Sequence, residues 1–203
     1  MKLTLANAKA IKYACINFHY AKSVPSVQYG FNVWNDTDEW CGVVCFGGGA
    51  TPNIGKPFGM KQGEILELVR VALNGKQSYT SEAVAASLKE LHRIDPLVKM
   101  VISYADADQQ HIGTIYQATN WIYLGKQNEG TRGAFIINGK KVHPRTIGSA
   151  GGKQSIEWIR ENLDENATEF ITEGKHRYVY CFDKKTRKRL SKQAQPYPKK
   201  RGE

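Results

Sequence analysis

The apolar residues of this chain fall into short runs separated by turn-forming residues. Runs rich in β-branched or aromatic residues predict buried strands over 41–46, 64–73, 98–103, 133–137 and 177–182. Runs with an apolar residue every three or four positions predict helices over 82–93 and 155–163. Strands and helices therefore alternate along the chain, which indicates a mixed α/β domain.

Two further patterns concern helices. The segment 111–123 carries Ile112, Ile115, Tyr116 and Thr119 on one side of a helical wheel, and Gly125 is placed to end that helix. Ser81 precedes the first apolar residues of the helix predicted over 82–93 and offers an N-cap oxygen.

The composition changes after Phe182. Basic residues dominate this segment and face almost no acid: Lys184, Lys185, Arg187, Lys188, Arg189, Lys192, Lys199, Lys200 and Arg201. Its apolar content is too low for independent packing. We therefore divide the chain into a domain over 1–182 and a basic surface tail over 183–203, which either is simply solvated or contacts a DNA backbone through Lys184, Lys185, Arg187, Lys188 and Arg189.

Net charge and cysteine usage narrow the classes of protein. The formal charge of +10 favours a polyanionic partner, because neutralised phosphates supply most non-specific nucleic-acid affinity. No apolar run approaches the roughly 18 residues that span a bilayer, and the N-terminus lacks a secretory pattern, so we expect a cytoplasmic protein. Cys15, Cys41, Cys45 and Cys181 have no zinc spacing, and we expect free, buried thiols.

The polar cluster that follows the strand at 98–103 is the first candidate for chemistry. It lies at the C-terminal end of a strand, where sites of α/β proteins usually occur. Asp106 and Asp108 would share a face if the strand continued, and their repulsion would raise one pKa, as suits a general base. We assign Asp106 to function and Asp108 to a structural cap, and we consider Tyr116 a hydrogen-bond donor or an orienting group.

Other candidates lie outside this cluster. Glu67 sits in an apolar strand, and Arg70, three positions on, is expected on the opposite face, so Glu67 is more readily a site carboxylate than half of a salt bridge. His19 and Tyr20 follow a turn-like segment and are either catalytic or structural. The glycines at 47–49 lack phosphate-loop spacing and are better explained as a plain loop than as a phosphate cradle.

Several motifs, taken in order, resemble one known family. They are 17–20 (Asn-Phe-His-Tyr), 67–70 (Glu-Leu-Val-Arg), 103–106 (Ser-Tyr-Ala-Asp), 111–121 (His-Ile-Gly-Thr-Ile-Tyr-Gln-Ala-Thr-Asn-Trp) and 175–178 (Lys-His-Arg-Tyr). The strand, turn, helix and strand order resembles the GNAT acyltransferases, and the combined motifs resemble the Mom DNA-modification family of bacteriophages over nearly the whole chain.

The resemblance implies a GNAT-like fold with a central, mostly antiparallel mixed sheet flanked by helices. It also implies an enzyme that converts adenine in double-stranded DNA to N6-carbamoylmethyl adenine and so blocks restriction enzymes. The residues implied as active are His19, Tyr20, Glu67, Ser81, Asp106 and Tyr116. A target base inside a duplex must be flipped out, and Tyr20, Trp34 and Trp121 are the aromatic residues we consider for stacking on it.

The donor stays open at this point. The resemblance suggests acetyl-CoA or a related acyl donor, or an iron-dependent step, and the residues establish neither. The segment 74–81 does not match the pyrophosphate turn that ordinary GNAT proteins place before their helix. Two other functions are also open: N-acyl transfer to a small amine or a protein, and DNA binding without catalysis. The oligomeric state is not indicated.

Overall fold

A computed structural model describes residues 1–49 and 51–199 of the chain. The strands are β1 (Lys2–Leu5), β2 (Tyr29–Trp34), β3 (Trp40–Gly47), β4 (Ile65–Leu73), β5 (Met100–Asp106), β6 (Ile122–Gln127), β7 (Arg132–Ile137), β8 (Lys140–Val142), β9 (Thr168–Ile171) and β10 (Lys175–Cys181). The helices are α1 (Ala8–Asn17), α2 (Thr80–Ile94), α3 (Thr114–Gln117), α4 (Pro144–Ser149), α5 (Ile156–Asn162) and α6 (Lys184–Ser191), with 3₁₀ turns at Lys56–Phe58 and Ala107–Gln109.

The strands form two sheets. A seven-stranded sheet has the order β1-β2-β3-β4-β5-β10-β6, in which β1 to β4 pair antiparallel and β4 pairs parallel with β5. A three-stranded antiparallel sheet has the order β8-β7-β9. The predicted mixed, mostly antiparallel architecture is confirmed.

The chain divides into two compact units, each described here by itself. The first comprises Met1–Ser103, Gly113–Leu124 and Tyr178–Tyr197. The second comprises Tyr104–Ile112, Gly125–Arg177 and Pro198–Glu203, of which residues 200–203 lie outside the described part of the chain.

The core of the first unit explains how α1 is held. Asn7 caps this helix by accepting a hydrogen bond from the Ala10 backbone N–H at 2.9 Å. The buried face of α1 packs on β3 and β4 through a cluster of small apolar side chains: Ile11, Ala14, Cys15, Val43, Cys45 and Ala72. Burial of this face fixes the direction in which the chain leaves the helix at residue 18.

The second unit has its own small core. Phe135 and Ile137 of β7 pack against Ile147 of α4 and Ile159 of α5, and all four side chains are buried. The N-terminus of α5 is capped by Ser155, which accepts a hydrogen bond from the Trp158 N–H.

The strands predicted over 41–46, 64–73, 98–103, 133–137 and 177–182 and the helices over 82–93 and 155–163 are all confirmed within a few residues. The four cysteines are free and buried, as expected. Burial raises the pKa of the Cys45 thiol to about 12 and that of Cys181 to about 11. No helix in 1–49 or 51–199 is long and apolar enough to cross a bilayer.

The helix predicted over 111–123 is wrong. Only Thr114–Gln117 is helical, and residues from Ile122 onward form strand β6. The backbone is left-handed at Gly113 (φ 78°) and at Asn120 (φ 58°), which bounds the helical turn on both sides. Ile112, Ile115, Tyr116 and Thr119 matched a helical period by chance of spacing.

The segment predicted as a surface tail is ordered up to residue 199. It contains α6, whose Leu190 is only 2% exposed, and residues 183–197 belong to the first unit. Asp183 caps α6 by accepting a hydrogen bond from the Thr186 N–H at 2.7 Å. The change in composition after Phe182 therefore coincides with the start of helix α6.

Candidate active site

A β-bulge in β4 determines which side chains of the first unit meet. Cys45 pairs with Arg70, whereas the next residue, Phe46, pairs with Leu68, so Val69 has no partner of its own. Gly47 pairs with Glu67. Cys45 and Gly47 lie two positions apart in β3 and share a face, and their partners Arg70 and Glu67 therefore share it too. The expectation that Arg70 faces away from Glu67 is wrong because the bulge reverses the alternation.

Helix α1 delivers the His19–Tyr20 pair to this face. The two rings lie 4.3 Å apart between centroids, with an angle of 31° between their planes. His19 Nδ1 accepts a hydrogen bond from the Ala21 N–H at 3.1 Å and lies 3.3 Å from Arg70 Nη1. Nδ1 thus accepts from the Ala21 N–H, and Nε2 lies 3.5 Å from the same Arg70 Nη1.

Arg70 is the residue that ties α1 to β4. Besides His19, its guanidinium donates to the Ser23 carbonyl oxygen at 3.2 Å. It thereby holds both sides of the turn that carries His19 and Tyr20. Sequence reasoning missed this role, because it placed Arg70 on the wrong face of the strand.

Glu67 lies where β4 and β5 stop pairing. The parallel register runs through Ile65–Met100 and Leu66–Val101 and ends at Glu67–Ile102. On the other side of β4, the backbone of Gly49 approaches the carboxylate closely: a Cβ on Gly49 would stand 3.0 Å from Glu67 Oε2, and φ there is 81°. The glycine loop thus packs over Glu67. We expected a plain loop without a contact to a candidate site residue.

Tyr116 reaches the same strands from α3. Ser103 Oγ donates a hydrogen bond to the Tyr116 hydroxyl oxygen at 2.9 Å and also lies 3.2 Å from a second acceptor, the Leu68 carbonyl oxygen. The Tyr116 oxygen therefore accepts, which leaves the Tyr116 proton available for donation. Ser103 is 1% exposed and was not singled out as a site residue, because a serine in an apolar strand gives little signal.

The Tyr116 ring is enclosed by aromatic side chains. Its centroid lies 5.0 Å from that of Trp121 and 5.0 Å from that of Tyr178. Burial raises the pKa of Tyr116 to about 12, the hydrogen bond with Ser103 opposes this rise, and the charges of Tyr20 and Glu67 add to it. Through Ser103, the Tyr116 hydroxyl is linked to the Leu68 carbonyl oxygen, next to Glu67 in β4. The pKa of Tyr116 responds to Tyr20, whose ring lies 4.3 Å from that of His19, and these residues all belong to the first unit.

Within residues 1–49 and 51–199, no hydrogen bond links Ser81 to His19, Tyr20, Glu67 or Tyr116. It lies in the first turn of α2, while Tyr79 occupies the N-cap position and makes no side-chain capping bond. The predicted capping role of Ser81 is therefore wrong. The helix begins at Thr80, two residues earlier than the pattern indicated.

Asp106 and Asp108 belong to the second unit. Strand β5 ends at Asp106, so the two residues do not continue a strand. Asp106 Oδ1 accepts a hydrogen bond from the Asp108 N–H at 3.1 Å and caps the 3₁₀ turn that follows. The cap predicted for Asp108 is thus made by Asp106 instead.

Asp108 is held by three groups of the second unit. Its carboxylate accepts hydrogen bonds from Lys141 Nζ at 2.9 Å, Thr172 Oγ1 at 3.1 Å and the Glu173 N–H at 2.7 Å. Burial alone would raise the pKa of this carboxyl, but the bonds from Lys141, Glu173 and Thr172 outweigh it and lower the pKa. These contacts agree with a structural role for Asp108. They are not the helix cap that we expected it to form.

The start of α2 bears on the acyl-CoA donor that the resemblance implies. An acyl-CoA carries a pyrophosphate, which favours the unsatisfied N–H groups of a helix N-terminus. Helix α2 has no side-chain cap at Tyr79, so its first-turn N–H groups are open to such an anion. Gly75 (φ 87°) has no heavy atom within 4 Å of a Cβ built there. The segment fits a phosphate at the helix end, without the glycine pattern of ordinary GNAT proteins.

No group of three or more His, Cys, Asp or Glu side chains is placed to hold a metal ion within 1–49 and 51–199. An iron site therefore finds no support among those residues.

Comparison with solved structures identifies the class of fold. The chain resembles a mutant of spermidine N-acetyltransferase SpeG from Vibrio cholerae, with a TM-score of 0.50, 9% identity, and 89% of this chain and 95% of that chain covered. A chimera of the same Vibrio cholerae enzyme with hSSAT gives a TM-score of 0.51 at 8% identity, with 89% and 96% covered. The fold is that of the GNAT acetyltransferases.

Comparison of sequences then gives the family. The Mom protein family matches residues 2–199, and the chain belongs to it. A curated relative, the methylcarbamoylase mom of Escherichia phage Mu, is 29% identical over 191 residues, which cover 89% of this chain and 76% of the relative.

Proposed function

We propose that this protein modifies adenine in double-stranded DNA, converting it to N6-carbamoylmethyl adenine and so protecting phage DNA from restriction. The observation that carries the proposal is the meeting of His19, Tyr20, Glu67 and Tyr116 beside the point where β4 and β5 stop pairing. Membership of the Mom protein family and the name of the phage Mu relative support the same activity.

Glu67 is the base in this proposal. The lone pair of adenine N6 is delocalised into the ring, so the amine becomes an effective nucleophile only when a positioned group removes its proton. Glu67 has a carboxylate fixed against the Gly49 backbone at the end of the strand pairing. As the new N–C bond forms, the donor carbon loses its leaving group together with the bonding electron pair, and Glu67 takes the N6 proton. A neutral secondary amine is left on the base.

Tyr116 orients the reacting base in this proposal. Its oxygen accepts a hydrogen bond from Ser103 Oγ, so its own proton can be donated to an acceptor on the flipped adenine, such as a ring nitrogen. Because its pKa is raised to about 12, Tyr116 stays protonated at neutral pH and keeps that proton. The hydrogen-bond donor role considered from the sequence therefore agrees with these directions.

His19 and Tyr20 supply the stacking surface for a flipped base. Tyr20 is 51% exposed and stacks on His19, which Arg70 holds in place. Trp121 is 1% exposed and cannot receive a base without unfolding its surroundings. Trp34 donates its indole N–H to Thr4 on the far edge of the sheet, beside β1. Tyr20 is therefore the stacking residue we propose.

An acyl donor of the CoA class would be held at the first turn of α2, by the N–H groups after Tyr79. When bound, it would supply a thioester carbonyl, and transfer to N6 would form an amide with the CoA thiol as leaving group. Carbamoylmethyl adenine instead carries a methylene on N6, so a CoA thioester alone does not account for this product, and the donor or an added step must differ. Ser81 lies in that turn, which gives it a proposed place beside the donor. The sequence also proposes Asp106 as a general base, and this residue belongs to the second unit.

A second candidate is N-acyl transfer to a small amine, which the acetyltransferase fold favours. One experiment separates the two. The protein is expressed in bacteria, plasmid DNA is digested to nucleosides, and deoxyadenosine is examined by mass spectrometry, while purified protein is assayed with spermidine and acetyl-CoA. We expect a deoxyadenosine carrying a carbamoylmethyl group and no acetylated polyamine. Unmodified DNA together with acetylated spermidine would establish the second candidate instead.

A further inference from the structure

Helix α6 presents a row of lysines to solvent. Lys184, Lys188 and Lys192 follow one another at intervals of four residues, so they lie along one face of the helix, and all three are exposed. We call them the α6 lysine row. Over eight residues at about 1.5 Å each, the row spans about 12 Å.

Among the residues that the structure describes, the α6 lysine row has no acidic counterpart. In residues 1–49 and 51–199, no ion pair joins any of the three lysines to a carboxylate. The nearest acid in sequence, Asp183, directs its carboxylate to the Thr186 N–H as the helix cap. Like charges four residues apart repel one another on a helix, so the row weakens α6 unless an external anion neutralises it.

The opposite side of α6 is fastened to the first unit. Leu190 is buried, Arg187 Nη2 donates to the Asn120 carbonyl oxygen at 3.0 Å, and Arg189 Nη2 donates to that of Phe58 at 2.6 Å. Beyond the helix, Tyr197 Oη donates to the Trp121 carbonyl oxygen at 2.5 Å. The two arginines therefore anchor the helix, and the lysines remain available.

These anchors connect α6 to the segment that carries Tyr116. Arg187 and Tyr197 bond to two consecutive carbonyl groups, those of Asn120 and Trp121. The Trp121 N–H donates to the Tyr116 carbonyl oxygen at 3.1 Å, and the two rings are in contact. An anion bound along α6 is thus held at a fixed place relative to the candidate base-orienting residue.

We propose that the α6 lysine row is a rigid contact for the phosphate backbone of duplex DNA, whereas Arg187 and Arg189 serve to hold the helix. The inference rests on the proposed function for the identity of the polyanion. A DNA strand carries one phosphate per about 3.4 Å of axis, so a row of about 12 Å faces roughly three to four phosphates. The proposal thus assigns the three lysines to DNA contact and the two arginines to holding the helix. The charge pattern of the sequence alone could not separate these two roles.

The test compares two triple variants of equal charge. One is Lys184→Gln, Lys188→Gln and Lys192→Gln; the control is Lys9→Gln, Lys12→Gln and Lys89→Gln, which removes three exposed lysines from α1 and α2. Each lowers the formal charge from +10 to +7, since 10 − 3 = 7. Fluorescence anisotropy measures binding to an unmodified duplex of arbitrary sequence, without any donor, over a range of salt concentrations, and thermal melting checks the fold.

For the α6 variant we expect an affinity lower by on the order of tenfold and a log–log salt slope shallower by about two to three, at about 0.9 per phosphate contact. Its melting temperature should be equal to or above the wild type. The control should keep the wild-type slope. Equal losses in both variants, or an unchanged slope in the α6 variant, would overturn the inference. If the α6 triple variant melts early, Lys188→Gln alone should still lower the slope by about one.

Failure of the proposed function is distinguishable from failure of this inference. DNA binding through the row without any modified deoxyadenosine in cells would leave the contact in place and remove the activity. Modified deoxyadenosine combined with an unchanged slope would keep the activity and place the DNA contact elsewhere.

Discussion

Polar side chains are buried and hydrogen-bonded in the candidate active site, whereas those of the α6 lysine row are exposed. In the site, the Tyr116 hydroxyl is buried and bonded to Ser103, and His19 is held by Arg70. On α6, Lys184, Lys188 and Lys192 are exposed and form no ion pair within 1–49 and 51–199. Fixed positions suit groups that must meet one reacting atom, whereas available charge suits contact with a repeating polyanion.

This difference implies that the two regions can be damaged separately. Changes in the site should lower modification and leave the salt dependence of DNA binding unchanged, and changes in the α6 lysine row should do the reverse. The following predictions test that separation.

The largest effect is expected for Glu67→Gln. Removing the proposed base while keeping its size should lower modified deoxyadenosine by about 100-fold or more, as losses of general bases usually do. Nucleoside mass spectrometry measures the modification, and anisotropy should give an unchanged salt slope.

The matched control for Glu67→Gln is Glu90→Gln, which removes a half-buried carboxylate of α2 that pairs with Arg93. Its modification level should equal that of the wild type. A Glu67→Gln variant that modifies DNA as well as the control does would remove Glu67 from the mechanism.

Asp106 and Asp108 should respond differently to the same change. Asp106→Asn is expected to lower modification with little loss of stability, since its carboxylate bonds to one backbone N–H in a short turn. Asp108→Asn is expected to lower the free energy of unfolding by about 1–3 kcal/mol, because three donors lose a charged acceptor. Denaturant unfolding and nucleoside analysis measure the two effects, and the reverse pattern would refute both assignments.

The Asp108 effect should depend on pH. The folded-state pKa of Asp108 lies below its ordinary value of 3.8, so its contribution is present above pH 3.8 and is lost as the pH falls through the folded-state pKa. The stability difference between wild type and Asp108→Asn should therefore be constant near neutral pH and shrink below about pH 4. A difference that grows on acidification would contradict this.

Tyr116→Phe should have a smaller effect on modification, about tenfold, since an orienting hydrogen bond is lost and the proposed base remains. Because the pKa of Tyr116 is raised to about 12, its ionisation should not shape the pH–rate profile below pH 10. The wild-type and variant profiles should therefore run parallel up to that pH. An alkaline limb present only in the wild type would show that Tyr116 titrates during the reaction.

The smallest effect is expected for Tyr197→Phe. It removes the hydrogen bond to the Trp121 carbonyl oxygen and should lower the free energy of unfolding by about 1 kcal/mol. Modification should fall only slightly. A large loss of modification without loss of stability would mean that this residue takes part in the site directly.

The bulge at Val69 shows where sequence reasoning ends. The strand itself was predictable from its β-branched residues, and Glu67 stood out as a carboxylate in an apolar run. The bulge depends on how β3 pairs with β4, which is a property of two strands and not of either one. Counting alternate positions along β4 alone therefore could not predict which face Arg70 occupies. For the same reason it could not predict that Arg70 supports His19.

Similar limits explain the other differences. The spacing of Ile112, Ile115, Tyr116 and Thr119 fitted a helix, but the left-handed residues Gly113 and Asn120 confine that helix to one turn. Helix α6 has one buried residue, Leu190, too few to give an amphipathic pattern amid its basic residues. In both cases, contacts made elsewhere in the first unit decide the structure.

The central claim is that the residues gathered at the end of the β4–β5 pairing modify adenine in DNA. The most direct measurement is mass spectrometry of nucleosides from DNA of cells expressing the wild type, Glu67→Gln or Glu90→Gln. We predict a deoxyadenosine heavier by a carbamoylmethyl substitution in the wild type and in Glu90→Gln, and its loss in Glu67→Gln. Unmodified deoxyadenosine in cells that contain folded wild-type protein would contradict the claim.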